Sequence, residues 1–147
     1  MTQPTSVPRP AIVNIAFWLV IAGAALLLAG GLLGLTSAFG TPRSSFSPDL
    51  SDGEVRSIVI MRGGISALLV LSGVALSFLA GRARNGDLRF RRSTVWLSAS
   101  LVALVFVLTL LAPFSITPVA LFGIVPVAIG ATLFMRPAAS DFFLEAK

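Results

Sequence analysis

Three carboxylates, Asp49, Asp52 and Glu54, fall within six residues and form the densest cluster of hard oxygen donors in the chain. A calcium loop needs donors at alternate positions and a bidentate glutamate at its twelfth. Ser51 and Gly53 stand where ligands should be, so a cation site is not expected. The same residues read better as a helix start. Ser51-Asp52-Gly53-Glu54 has capping-box spacing, and Leu50 and Val55 occupy the two positions of a hydrophobic staple. Asp52 and Arg56 stand four apart, where an ion pair is expected along the helix.

The second chemically distinctive residue is Arg62, which stands in "SIVIMRGGISALLVLSG" inside an otherwise apolar segment. An arginine there either binds something within a membrane or snorkels to the headgroups at its edge. The third group is Arg82, Arg84, Arg89, Arg91 and Arg92, which read as a topology determinant or as a surface for anionic lipid. The chain has no cysteine and no histidine. That removes disulfides, imidazole acid–base chemistry and most zinc, copper or haem ligation. No catalytic residue, metal or cofactor is therefore expected, and the protein is not expected to be an enzyme.

These residues are carried by apolar elements. Of 147 residues, 56 % are hydrophobic and 12 % charged, with a mean hydropathy of +0.95. A soluble domain carries about 25 % charged residues. Long apolar runs instead point to membrane spans, here expected at about 10–36, 57–80, 94–112 and 118–135. The second helix is expected to extend outward from about residue 52. Residues 1–9 read as a disordered cytoplasmic tail rather than a signal peptide, because the apolar run after Arg9 is too long for one. Thr117 and Pro118 read as N-cap and first residue of the fourth helix. Pro126 is expected to bend that helix. Residues 136–147 return to water, where "DFFLEAK" reads as a short amphipathic turn. The predicted fold is all-α: an integral membrane, antiparallel bundle of four transmembrane helices.

Eight of the eleven Lys and Arg residues lie in the two tails and the 81–93 loop, against two in the other connections. The positive-inside bias puts both termini and the arginine loop in the cytoplasm, with Trp18 and Trp96 near that interface. The net charge of +5 sits beside apolar spans, so nucleic acid is not expected as a partner. A helix from residue 52 to 80 would run about 43 Å against a hydrocarbon core of about 30 Å. Counting back from the arginine loop places Arg62 at the outer interface. A second register would sink it one turn and require Asp49, Asp52 or Glu54 as partner. In the favoured register "SIVIM" projects beyond the hydrocarbon and needs cover, from Phe39 and Phe46 or from another protein.

Gly30 and Gly34 form a GxxxG step, and Gly73, Ser77 and Gly81 a small-xxx-small run; both permit close helix approach. They serve packing within the chain or contact with a partner. The function expected is that of a non-catalytic plasma-membrane accessory or scaffold protein, acting through helix contacts with itself or a membrane complex. The alternative is a small transporter or channel subunit with Arg62 at its outer mouth. Expected partners are membrane lipids and either a membrane protein or a second copy. The Arg-rich, Ala/Gly/Leu/Val-rich composition points to a GC-rich bacterial genome. The segments "RPAIVNIAFWLVIAGAALLLAGGLLGLT" and "AGRARNGDLRFRR" resemble small uncharacterised actinobacterial four-helix membrane proteins. That resemblance implies a multi-pass bacterial plasma-membrane location and brings no active site with it.

Overall fold

The computed structural model describes residues 11–85, 87–111 and 116–136. Four helices account for nearly all of them: α1 (Ala11–Gly40), α2 (Asp52–Ala83), α3 (Leu88–Leu111) and α4 (Pro118–Met135). A single 3-10 turn, Arg43–Ser45, lies between α1 and α2, and there is no strand among the described residues. All four helices are long and apolar enough to cross a membrane. The expected tails lie outside the described residues, apart from Arg136.

α1 runs further than its apolar stretch, because Thr36 and Ser37 turn their hydroxyls to Leu33 O (2.9 Å) and Gly34 O (3.0 Å). Such local bonds keep Ser and Thr in a helix rather than breaking it. Pro42 ends the run, since it has no amide to donate back to Ala38. Arg43 then clasps the loop, donating to Ser47 O (3.3 Å), to Leu50 O and to Asp52 Oδ1 (3.1 Å). Asp52 therefore pairs with Arg43 rather than with Arg56. The capping box forms as the spacing predicts. Ser51 Oγ accepts from Glu54 N (3.3 Å), and Glu54 Oε2 accepts from Ser51 N (2.8 Å).

At the other end, much of the arginine loop is helical. Arg82 belongs to α2, and Arg89, Arg91 and Arg92 to α3, leaving residues 84–87 as the connection. Asp87 starts α3 by accepting from Arg89 N (2.9 Å), satisfying an amide that no preceding turn could.

The helices run up, down, up and down. α1 packs extensively on both α2 and α4, while α3 touches α2 and α4 more lightly. Glycine closes the α1 seams. A Cβ on Gly30 would stand 2.5 Å from Ala120 N and 2.8 Å from Ala120 Cα, and one on Gly23 would stand 2.6 Å from Gly123 O. On the α2 side a Gly31 Cβ would meet Ser66 O at 2.9 Å, and a Gly73 Cβ would meet Ala24 O at 2.9 Å. Val13, Val20, Leu27, Leu76, Val127 and Phe134 fill the remaining core and are fully buried. α4 is continuous through Pro126.

Candidate functional site

The Arg62 end of the bundle is built where three helices meet. Gly63 and Gly64 are helical, and the absence of a side chain at Gly63 lets the Phe39 ring lie against α2. A Cβ there would be 2.9 Å from Phe39 Cζ. One turn after Arg62, Ser66 faces Gly34 of α1 so closely that any Cβ on Gly34 would collide with Ser66 Oγ. α4 begins alongside. Thr117 is its N-cap, and its hydroxyl donates across the seam to Gly30 O (3.0 Å) rather than accepting from a first-turn amide of its own helix.

The result is a niche of about 210 Å³ lined by Arg62, Ser66, Gly34, Ser37, Thr117 and Ile116, with Pro118 beside them. Arg62 is half-buried. None of the carboxylates near the start of α2 forms an ion pair with it. Asp52 is held by Arg43, Glu54 by the cap, and Asp49 accepts from Ser47 Oγ (3.4 Å). Among the described residues Arg62 has no ion pair. Ser66 is 3 % exposed and its side chain makes no hydrogen bond among the described residues, whereas Ser37 and Thr117 are both engaged. A guanidinium only donates hydrogen bonds, so the niche can hold an anionic oxygen.

Depth follows from the neighbours. Arg62 shares the niche with Pro118, the first residue of the shortest helix. α4 has 18 residues, about 27 Å, so Arg62 marks one end of the layer that all four helices share. Ten residues of α2 stand beyond it, about 15 Å. Of the "SIVIM" segment, Ile60 is 58 % and Met61 48 % exposed. The Phe39 ring lies against Gly63 and is itself exposed, and Phe46 is half-buried.

At the opposite end the arginines divide by role. The Arg84 guanidinium lies 4.7 Å from the centre of the Phe17 ring, tying α2 to α1. Arg82 sits 5.5 Å from the Phe78 ring and 5.6 Å from the Phe90 ring, tying α2 to α3. Arg91 Nε donates to Phe134 O (2.9 Å), closing α3 onto α4. Arg89 and Arg92 are exposed, and their side chains make no hydrogen bond or ion pair among the described residues. Trp18 and Trp96 lie at this end and are exposed.

The small residues singled out in the sequence fall in different places. Gly30 is spent against α4, while Gly34 and Gly73 close the α1–α2 seam. Ser77 donates to Gly73 O (2.9 Å), and Gly81 faces open space. No group of three or more potential metal ligands is found among the described residues. Sequence reading passed over Ser37, Ser66 and Thr117 as companions of Arg62. The i, i+4 spacing of Arg62 and Ser66 was a signal available for one of them. The other two come from distant helices.

Fold and site together define an all-helical protein with four candidate membrane-spanning helices, consistent with a multi-pass membrane protein. No family model matches the chain, and no curated protein or solved structure matches it either.

Proposed function

We propose that this is a non-catalytic, multi-pass protein of a bacterial plasma membrane, with both termini cytoplasmic. It acts as an accessory or scaffold subunit, through contact with a membrane complex or a second copy of itself. The observation that carries this reading is the α1–α2 hairpin, which stands beyond the Arg62 level with Phe39, Ile60 and Met61 exposed. The GxxxG glycines are occupied within the chain, so the contact surface is assigned to this hairpin flank rather than to Gly30 and Gly34.

A photo-crosslinking residue at Ile60, tested in cells against one at the exposed mid-helix position Leu71, examines this directly. A discrete protein adduct at Ile60 and only lipid at Leu71 is expected, and an adduct of twice the chain mass would identify self-association. Lipid adducts alone at both positions would refute the contact reading. Orientation is checked separately with Asn85→Cys, which should resist a membrane-impermeant thiol reagent added outside.

A second reading, a transporter subunit with Arg62 at its outer mouth, has the niche in its favour. Directly below that niche α1 is shut against Ala120 and Val70. Solute flux by reconstituted protein, abolished in Arg62→Ala, is the result that would favour it.

A further inference from the structure

At the arginine-loop end, α3 and α4 enclose two spaces of opposite chemistry that share a wall. The deeper one is an apolar groove of about 440 Å³, bounded on α3 by Ala99, Val102 and Ala103 and on α4 by Ala128 and Ala131. The shallower one, about 270 Å³, is lined by Arg91, Arg92 and Trp96. Val95 and Met135 line both. The charged space therefore adjoins the head of the apolar one.

The groove exists because small residues face it from both helices, so no ridge fills it. It follows α3 from Val95 to Phe106, about 16 Å along the axis and close to half of a ~30 Å hydrocarbon core. Its wall carries Ser98, a fully buried residue whose Oγ has no hydrogen-bond partner among the described residues. At the mouth, Arg92 is exposed and makes no ion pair among the described residues, and Arg91 is anchored beside it by Phe134 O. Trp96, 73 % exposed, has the amphipathic ring suited to the headgroup layer.

We propose that the α3–α4 groove and the Arg92 pocket together form a binding site for one anionic glycerophospholipid from the leaflet at this end of the bundle. The phosphate lies at Arg92, with Arg91 beside it, and an acyl chain lies along Ala99, Ala103 and Ala128. Phosphate held by arginine at the headgroup level, with an apolar slot below, gives one ligand chemistry that neither space specifies alone. The site lies at the far end of the molecule from the hairpin flank, so it stands or falls independently of the contact reading.

The test is native mass spectrometry of the full chain released from vesicles containing equal phosphatidylglycerol and phosphatidylcholine. The wild type should retain one phosphatidylglycerol in preference to phosphatidylcholine. Arg92→Ala should lower that preference about fivefold, as expected for one arginine near an anionic surface. Arg89→Ala, an exposed arginine outside the pocket, should leave it unchanged. Ala103→Phe should reduce retention of both lipids by filling the groove. Equal retention of the two lipids by wild type, or an Arg92→Ala preference equal to wild type, would overturn the proposal. So would an equal loss in Arg89→Ala and Arg92→Ala, which would mean a diffuse field rather than a site. Displacement of the adduct by millimolar inorganic phosphate, with Ala103→Phe without effect, would assign the pocket to a free anion and also overturn it. The Arg92 and Arg89 variants alter exposed helix-surface side chains, so the result does not depend on Ala103→Phe folding.

Discussion

α1 meets α4 backbone to backbone at Gly23–Gly123 and Gly30–Ala120, whereas α3 meets the same helix across a groove of about 440 Å³. Both interfaces are rich in small residues, so composition does not separate them. Spacing does. On α1, Ala16, Gly23 and Gly30 recur every seven residues and face α4, where Gly123 and Gly130 are also seven apart. A second set on α1, Ala24 and Gly31, faces Gly73 and Ser66 of α2, again seven apart. A seven-residue step keeps one face toward a neighbour over two turns, so the helices can stay close along their length. α3 contains no glycine. Its buried face, Thr94, Ser98, Leu101 and Val105, keeps its neighbours at side-chain distance. Attachment then depends on end contacts such as Arg91 with Phe134 O and Arg82 with Phe90.

The largest test of that difference is Gly30→Leu. Its Cβ alone would stand 2.8 Å from Ala120 Cα, backbone that cannot yield cheaply. Overpacking of this kind destabilises by about 3 kcal/mol. The same change at Gly81, which meets nothing within 4 Å, should move stability by less than about 0.5 kcal/mol. Ala103→Leu, entering the α3–α4 groove, should also stay within about 0.5 kcal/mol. Unfolding in mixed micelles, or steric trapping in bicelles, measures all three. A tolerated Gly30→Leu beside a damaging Ala103→Leu would reverse the assignment of tight and loose seams.

Thr117→Val sharpens the comparison at a single bond. The Thr117 hydroxyl donates to Gly30 O across the α1–α4 seam, and such interhelical bonds average about 0.6 kcal/mol in membrane proteins. Valine keeps the shape and removes only the donor. A loss of that size is expected in the same unfolding assay. No change would mean that the seam is held by packing alone.

Much of this was legible in the chain, and the omissions have a common cause. Four apolar segments, the Ser51–Glu54 cap and the Thr117-Pro118 start could be read because each is local: the capping and turn signals lie within four residues of their partners. The Asp52–Arg56 pair was equally local, yet the loop folds back and delivers Arg43 to Asp52 first. GxxxG drew attention to Gly30 and Gly34 as a pair, but they serve different neighbours, α4 and α2. The seven-residue recurrence of small residues was the better signal, and it was present in the sequence. The Arg62 niche and the Arg92 pocket draw on two or three helices each, and their convergence is set by the seams rather than by any one segment.

The smallest effect concerns the loop end of the α1–α2 hairpin, where packing gives way to capping. Hydrogen bonds from the Ser51 amide and then the Ser51 hydroxyl hold the Glu54 carboxyl below the ordinary glutamate value. A carboxyl depressed in the folded state stabilises the cap above its unfolded pKa, and that contribution is lost as pH falls through the lower folded value. Protection of the first-turn amides of α2 should therefore be constant near neutrality and fall in acid. Glu54→Ala should show the low-pH behaviour throughout. The group is fully exposed, so the loss should stay local, leaving protection around Gly30 and Gly73 unchanged. If acid instead loosened the glycine seams together with the cap, the hairpin would be a single cooperative unit, and its tightness would derive partly from the loop rather than from the seven-residue glycine spacing.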